Sequence, residues 1–327
     1  MMDEHEIALF ESTIGDIVAE FDGAELTDRL DAFGWREVLA DEPRVAIRAL
    51  FEAQGRLGRW SASLHDVLGR ALDALGVSAP GRACVVLPRP RSAAPARRRG
   101  DHLQIDGLLL GARHPHDSFV LEVDDGSGPG TVAIVAADAL TMEPRRGLDP
   151  ALDVVAVAGT TDAFDIVAEN EHAASWWCSA ESLARLAVSH CIVGALASMF
   201  VLARDHANDR EQFGRAIGTF QVVRHKLAEV FVAIEAATAA TAAAWDADES
   251  VLAAATAKLV VSQSTATVVT HTQQILAGIG FTAEHPYHSF MKRAVTLDRI
   301  LGAEAELADV VGAELLRRRR APRLVEL

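Results

Sequence analysis

Along residues 3–75, apolar side chains recur every three or four positions. Ile7, Phe10, Ile14, Ile17 and Phe21 make one stripe, and after Pro43 the segment RVAIRALFEAQGRLGRW resumes the pattern with Ala46, Leu50 and Ala53. This spacing predicts helices with one apolar face each. SASLHDVLGRALDALGV carries the pattern to a glycine stop at Gly76. From residue 80 the period changes. ACVVLPRP, HLQIDGLLLGA, SFVLEV and TVAIVAADA are short apolar runs separated by Gly, Pro and Asp, which predicts strands and turns. From about Ser179 the helical period returns. AESLARLAVSHCIVGALASMFVLARDHAN predicts a helix of about eight turns. Phe220, Val223, Leu227, Val230 and Ile234 mark a second helix, and a third runs from about Glu249 to Leu276. A fourth starts near Tyr287 and ends in ELLRRRRAPRL. The alanines and threonines of the third permit close packing of helix on helix.

The order predicts an α+β fold, mainly α. A helical domain covers 1–79, a reduced β domain 80–170 and a four-helix bundle 171–327. The chain length of 327 residues suits two or three domains, and no repeat of 20–50 residues is visible. Composition narrows the function. A net charge of −15 argues against a general nucleic-acid binder. Cys84, Cys178 and Cys191 follow no metal-ligand spacing and suit a reducing cytoplasm. MMDEHEIALF lacks a basic leader, and the apolar run LAVSHCIVGALASMFVLA contains Ser189, His190 and Ser198. That run reads as a buried helix rather than a membrane span. PRPRSAAPARRRGD reads as a solvated surface loop; the functional alternative is that Arg97, Arg98 and Arg99 meet ligand phosphates. Arg317–Arg320 complement a helix C-terminus. The twelve histidines form no HExxH cluster, so no metal site is expected, and His271, His285 and His288 read as loop or core residues. GxxxxGK[ST] and GxSxG are both absent.

Two stretches of the bundle carry more information. RDHANDREQFGRAIGTFQVVRHKLAEV resembles the acyl-CoA dehydrogenase pattern Arg-x-Gln-Phe-Gly, followed by Phe-Gln and an amphipathic helix. QQILAGIGFTAEHPYHSFMKRA resembles that family's Gln-Ile-hydrophobic-Gly-Gly-x-Gly-Phe, with an acidic residue, a proline and a basic pair after it. The order and separation also match, and the resemblance is good from about 179 to 310. It implies FAD as cofactor, an acyl-CoA substrate and a flavoprotein electron acceptor. It further implies that Arg210, Gln212, Phe213, Gln221, Gln274 and Gly278 clasp the pyrophosphate and adenine end of a flavin whose ring sits on the neighbouring subunit. The residue types suit the task. Arginine offers a planar, permanently charged fork to a phosphate, the glutamines offer amides, and Phe213 offers an apolar wall. Gly214 allows a sharp turn between two helices, while Gly278 and Gly280 let backbone approach a ligand.

The sequence departs from the resembled pattern in three ways. No Thr-Glu-Pro or Gly-Ser-Asp flavin cradle occurs between Pro80 and Asp165. The positions that match the family's catalytic carboxylate hold Leu301 and Ala184, neither of which can take a proton. Glu181 and Asp298 are the reserve candidates. The N-terminal and middle regions are also short. Together these imply a subunit without catalytic residues of its own. It would pair with a longer subunit in an α2β2 acyl-CoA dehydrogenase of the steroid side-chain type, as shortened family members do in actinobacteria. The alternatives are a homomeric dehydrogenase with a relocated base and a flavin-free structural homologue.

Overall fold

The computed structural model describes residues 2–74, 83–111, 118–126, 130–247 and 250–319; the expected glycine stop at Gly76 lies outside them. The chain divides into two compact units. One comprises Glu20–Pro43 and Trp60–Ala184, the other Met2–Ala19, Arg44–Arg59 and Arg185–Leu327.

In the first unit, helices α2 (Gly23–Phe33), α3 (Trp35–Asp41) and α5 (Ser63–Ala74) accompany a sheet. Its strands are β1 (Ala83–Val85), β2 (Leu87–Pro88), β3 (Ala96–Arg99), β4 (His102–Leu110), β5 (Ser118–Asp124), β6 (Thr131–Ala136), β7 (Thr141–Pro144), β8 (Val154–Thr161) and β9 (Asp165–Glu169). The order is β7-β8-β4-β3-β5-β6-β9, with β1 beside β5 and β2 beside β4. β4 alternates strictly at its start: Leu103 and Ile105 are buried, His102, Gln104 and Asp106 exposed. The same alternation along β5 sends Phe119, Leu121 and Val123 into the core shared with Val135 and Val157. The pattern of apolar runs located β1, β2, β4, β5 and β6, and β7–β9 complete the sheet. The Arg97–Arg99 loop expected from composition is instead β3, paired to β4 and β5. Cross-strand chemistry explains the difference. Arg97 Nε and Nη2 donate to Asp124 Oδ2 at 3.1 and 2.9 Å, and the Arg98 guanidinium lies 5.9 Å from the Phe164 ring centroid.

The second unit is helical. It contains α1 (Glu4–Glu20), α4 (Pro43–Leu57) and the 40-residue α6 (Asn170–Asp209), of which Asn170–Ala184 belongs to the other unit. α7 (Gln221–Trp245), α8 (Ser250–Leu276), α9 (Tyr287–Asp298) and α10 (Glu304–Arg318) follow. The α1 stripe buries Phe10, Ile14 and Val18. Alanines let α6, α7 and α8 approach closely: Leu186, Ala244, Ala253, Ala254 and Ala257 form one cluster. α4 and α6 go further and touch backbone to backbone. A Cβ added to Gly55 would lie 2.0 Å from Cys191 O, and one added to Gly194 would lie 2.4 Å from Glu52 O. Ser198 Oγ donates to Arg56 O along the same seam, and His190 Nδ1 bonds Glu52 Oε1 at 2.9 Å.

Two elements differ from expectation. The first bundle helix begins at Asn170, nine positions before Ser179. The helix expected from Tyr287 to the arginine run is two helices, because Leu301 and Gly302 take successive left-handed conformations with φ of 62° and 108°. Arg185 Nε donates to Leu301 O and Lys258 Nζ to Asp298 O, both at 3.0 Å, capping the end of α9. Arg317 and Arg318 bond Glu314 within α10. By length and composition, Asn170–Asp209, Gln221–Trp245 and Val251–Phe281 are each apolar enough to cross a membrane. The most apolar stretch of α6 is 72% buried in the protein, as expected of a core helix, and that of α7 only 28%.

Replacing Gly194 with Ala should cost about 3 kcal/mol of unfolding free energy, because the new methyl meets main-chain atoms that cannot swing aside. Gly312→Ala on α10, where a Cβ meets nothing within 4 Å, should be neutral or gain up to about 1 kcal/mol. Chemical denaturation of the two variants checks the contrast. A second test concerns Glu122 on β5. Its carboxyl is pushed up to about 7 from 4.5, first by burial, then by Glu181 and Asp124. The folded pKa lies above the unfolded one, so stability falls as pH rises from about 4.5 to 7. Glu122→Gln should therefore melt higher than the parent at pH 8, by about 2 kcal/mol, and match it at pH 4.5. Melting curves at the two pH values decide it.

Candidate functional site

α6 ends at Asp209, where Arg210 N donates to His206 O, and the chain then makes a small hairpin. β10 (Glu211–Gln212) pairs with β11 (Arg215–Ala216) across a two-residue turn, Phe213–Gly214. Both turn residues are left-handed, with φ of 54° and 75°, as such hairpin turns require. Gly214 accepts this without strain. Phe213 takes it despite its bulk and is 93% exposed. The expected turn between two helices is thus a hairpin that holds an aromatic ring out at its tip. Ile217 N returns to Arg210 O at 2.8 Å and closes the loop. Behind it, Phe220 stands at the start of α7, edge-on to Phe213 with centroids 6.1 Å apart and covered by the Arg215 guanidinium at 4.2 Å. No side chain caps the first turn of α7; Val223 N turns back to Phe220 O, and the N–H groups of Gln221 and Val222 stand at the helix start without a side-chain acceptor.

The facing wall comes from the end of α8. Gln274 lies in its last turn, and residues Ala277–Phe281 continue as a 3₁₀ turn. Two glycines of this turn have different work. A Cβ on Gly280 would lie 2.6 Å from Gln273 Nε2, so Gly280 serves packing. A Cβ on Gly278 would meet nothing within 4 Å. Ala277 takes the left-handed position just before it, φ 50°.

Between these walls lies a cavity of about 810 Å³, within the range of ligand sites. Arg210, Gln212, Phe213, Gln274 and Gly278 all line it. Gln221 does not, although it opens α7 as expected and its neighbours Phe220 and Val222 do. The sequence reading missed His206, Phe220 and Lys226. His206 lies one helical turn before Arg210, a spacing that places both on one face, and this was the available signal. Burial, then His285 and Arg210, hold the His206 imidazole below the ordinary histidine range, against the pull of Asp209. The positive charge of the cavity therefore comes from Arg210 and Lys226. Ile217, Val223, Ile275 and Ile279 make the rest of the lining apolar. The arrangement can hold an anionic group and a flat apolar group together.

The two positions that the resemblance aligns with a catalytic carboxylate hold side chains that take no proton. Ala184 is fully buried in α6, and Leu301 is 8% exposed in the α9–α10 turn. Asp298, a reserve candidate, is 9% exposed with Oδ1 3.7 Å from Lys258 Nζ. Burial lowers that lysine to about 8 while Asp298 opposes the shift. Glu181, the other reserve, is near enough to Glu122 to help raise its carboxyl. Among the described residues no group of His, Cys, Asp and Glu is arranged to hold a metal ion.

Comparison with known proteins assigns the fold. Residues 179–316 match the acyl-CoA dehydrogenase C-terminal domain. Over 115 residues the chain is 36% identical to acyl-CoA dehydrogenase IpdE2 of Mycobacterium tuberculosis, a match that covers 35% of this chain and 36% of that protein. The chain thus spans about a third of the length of this curated relative. Two solved structures superpose over nearly the whole chain. The ChsE4–ChsE5 complex from Mycobacterium tuberculosis gives a TM-score of 0.77 at 20% identity, covering 98% of this chain and 99% of the other. The Tcur3481–Tcur3483 steroid ACAD, in its G363A variant, gives 0.77 at 19% identity, covering 97% and 99%. At that identity the likeness speaks for the fold. The chain is an acyl-CoA dehydrogenase-like protein, with an acyl-CoA dehydrogenase C-terminal domain at residues 179–316 and the acyl-CoA dehydrogenase fold.

Proposed function

We propose that this chain is the flavin-clamping, non-catalytic subunit of a heteromeric acyl-CoA dehydrogenase. The observation that carries the reading is a contrast within one chain. Arg210, Gln212, Phe213, Gln274 and Gly278 converge on one cavity, while the positions of the base are Ala184 and Leu301. The donor set fits the ADP end of FAD. Arg210 offers paired N–H donors to a pyrophosphate, and the uncapped start of α7 adds backbone N–H groups. Open space at Gly278 lets a ligand lie against the main chain. Phe213, Phe220 and Ile279 offer apolar surface for a flat base. Bound FAD supplies the hydride acceptor for α,β-dehydrogenation of an acyl thioester. The tasks of this chain are to neutralise the diphosphate, order the dinucleotide and keep water from its apolar end. A longer partner subunit would supply the flavin-ring platform and the carboxylate.

The two structural neighbours bear on partner and substrate. One is a complex of ChsE4 with ChsE5, and the other is a steroid acyl-CoA dehydrogenase named for two components. On that footing we assign the chain an α2β2 assembly, a bulky, steroid-type acyl-CoA substrate and a flavoprotein as electron acceptor. We assign it also to the cytoplasm, where Cys84, Cys178 and Cys191, all unbridged, are stable as thiols. A self-sufficient enzyme is the second reading. The observation in its favour is the Glu122 carboxyl, raised to about 7 beside Glu181, which suits a proton acceptor at neutral pH.

Expression alone and with a longer acyl-CoA dehydrogenase subunit separates the two. The lone chain should lack thioester dehydrogenation, and the two-polypeptide complex should carry one FAD per pair of chains. A lone chain that turns over and stops doing so in Glu122→Gln would establish the second reading. In the complex, Arg210→Ala should reduce FAD retained through gel filtration at least tenfold without changing the elution volume. Unchanged flavin content would defeat the assignment.

A further inference from the structure

Lys226 lies in the second turn of α7, partly buried, on the wall of the same cavity as Arg210. The residue three positions on, Glu229, is the carboxylate with which a helical lysine would ordinarily pair. Here Glu229 Oε2 is instead 2.8 Å from Nε2 of His271, which reaches across from α8. The other ring nitrogen, Nδ1, is 3.3 Å from Lys226 Nζ. An ammonium can only donate, so Nδ1 is the acceptor, and the ring proton resides on Nε2 and points at Glu229. The imidazole is thus locked in one tautomer and stands as a spacer between lysine and carboxylate. Two consequences follow. The ammonium is held in position by a packed ring rather than left on a loose stem. Its charge is not cancelled by direct contact with the carboxylate, and two of its three N–H donors remain for a ligand. α7 and α8 are an intimately packed pair, so the relay is built on rigid elements.

We propose that Lys226, positioned by His271 and Glu229, is the second cation of the clamp and binds the phosphate that Arg210 does not. This rests on the reading of the cavity as a nucleoside-diphosphate site. A diphosphate carries charge on two phosphorus centres. One planar fork matches one of them, and a compact ammonium serves the other as a point charge. His206 is held neutral and does not substitute for it. FAD and coenzyme A, the cofactor and the carrier of an acyl-CoA dehydrogenase reaction, both present an adenosine 5′-diphosphate.

Calorimetric titration of the purified chain with ADP tests this. The parent should bind, Lys226→Met should bind about tenfold more weakly, and Lys226→Arg should recover most of the loss. Methionine keeps the apolar stem, so melting temperature should not change. His271→Ala should give a smaller loss, and added salt should weaken the parent more than Lys226→Met, which a purely structural lysine would not do. If Lys226→Met binds like the parent while Arg210→Ala binds weakly, the inference about Lys226 is overturned and the clamp stands. If the parent binds no ADP, or Arg210→Ala binds it unchanged, the clamp reading fails and this one with it. Displacement of ADP by FAD supports the flavin as the source; displacement by coenzyme A alone overturns that source.

Discussion

The structure depends on one close crossing. At Gly55 and Gly194, α4 and α6 meet without side chains between them, so the main chain of each forms part of the other's surface. No other residue type leaves room for that approach. His190–Glu52 and Ser198–Arg56 then fix the rotation and stagger of the two helices. The consequence is felt far along α6. A helix of 40 residues is a long lever, and its last turn carries His206 and leads into Arg210. A cavity whose donors must match a ligand to within about half an ångström needs that lever held stiffly. α8, which carries the second wall, packs on α7 through Ala244, Ala253, Ala254 and Ala257 at their far end.

The charge distribution gives the cavity its character. In a chain of net charge −15, several arginines among the described residues are neutralised where they stand. Arg44 is paired with Asp246, Arg48 with Glu11, Arg89 with Asp106 and Arg97 with Asp124. The cavity differs. Arg210 and Lys226 line it, and the carboxylate nearest in sequence to the lysine is engaged by a histidine. Such positive charge in a concave, largely apolar wall attracts an anion more strongly than the same charge on a convex surface, since less water screens it.

The two base positions show the reverse arrangement. Polar groups are present near Leu301, but Arg185 and Lys258 spend their donors on the carbonyls at the end of α9 and on Asp298. They stabilise a turn of two left-handed residues instead of presenting a reactive group. At these two positions the side chains are committed to packing and to the α9–α10 turn.

Much of this was legible in the residues. Period alone separated helical from sheet segments, because a helix and a strand must place their apolar residues at different intervals to bury them. The two bundle motifs named five residues that do share a cavity, because each motif occupies a loop or helix end that is short in sequence. What escaped has a common cause. The arginines of β3 read as a polar loop because their partners, Asp124 and Phe164, lie on other segments. The break at Leu301 was invisible because the carbonyl caps that hold it come from α6 and α8. Nothing in the sequence singles out Lys226, because its neighbour His271 is brought beside it by α8. Local spacing determined the elements and the motif. Contacts between residues distant in the chain decided which charges are cancelled and which are left to bind, since a charge is neutralised by whatever the fold sets within a few ångströms of it.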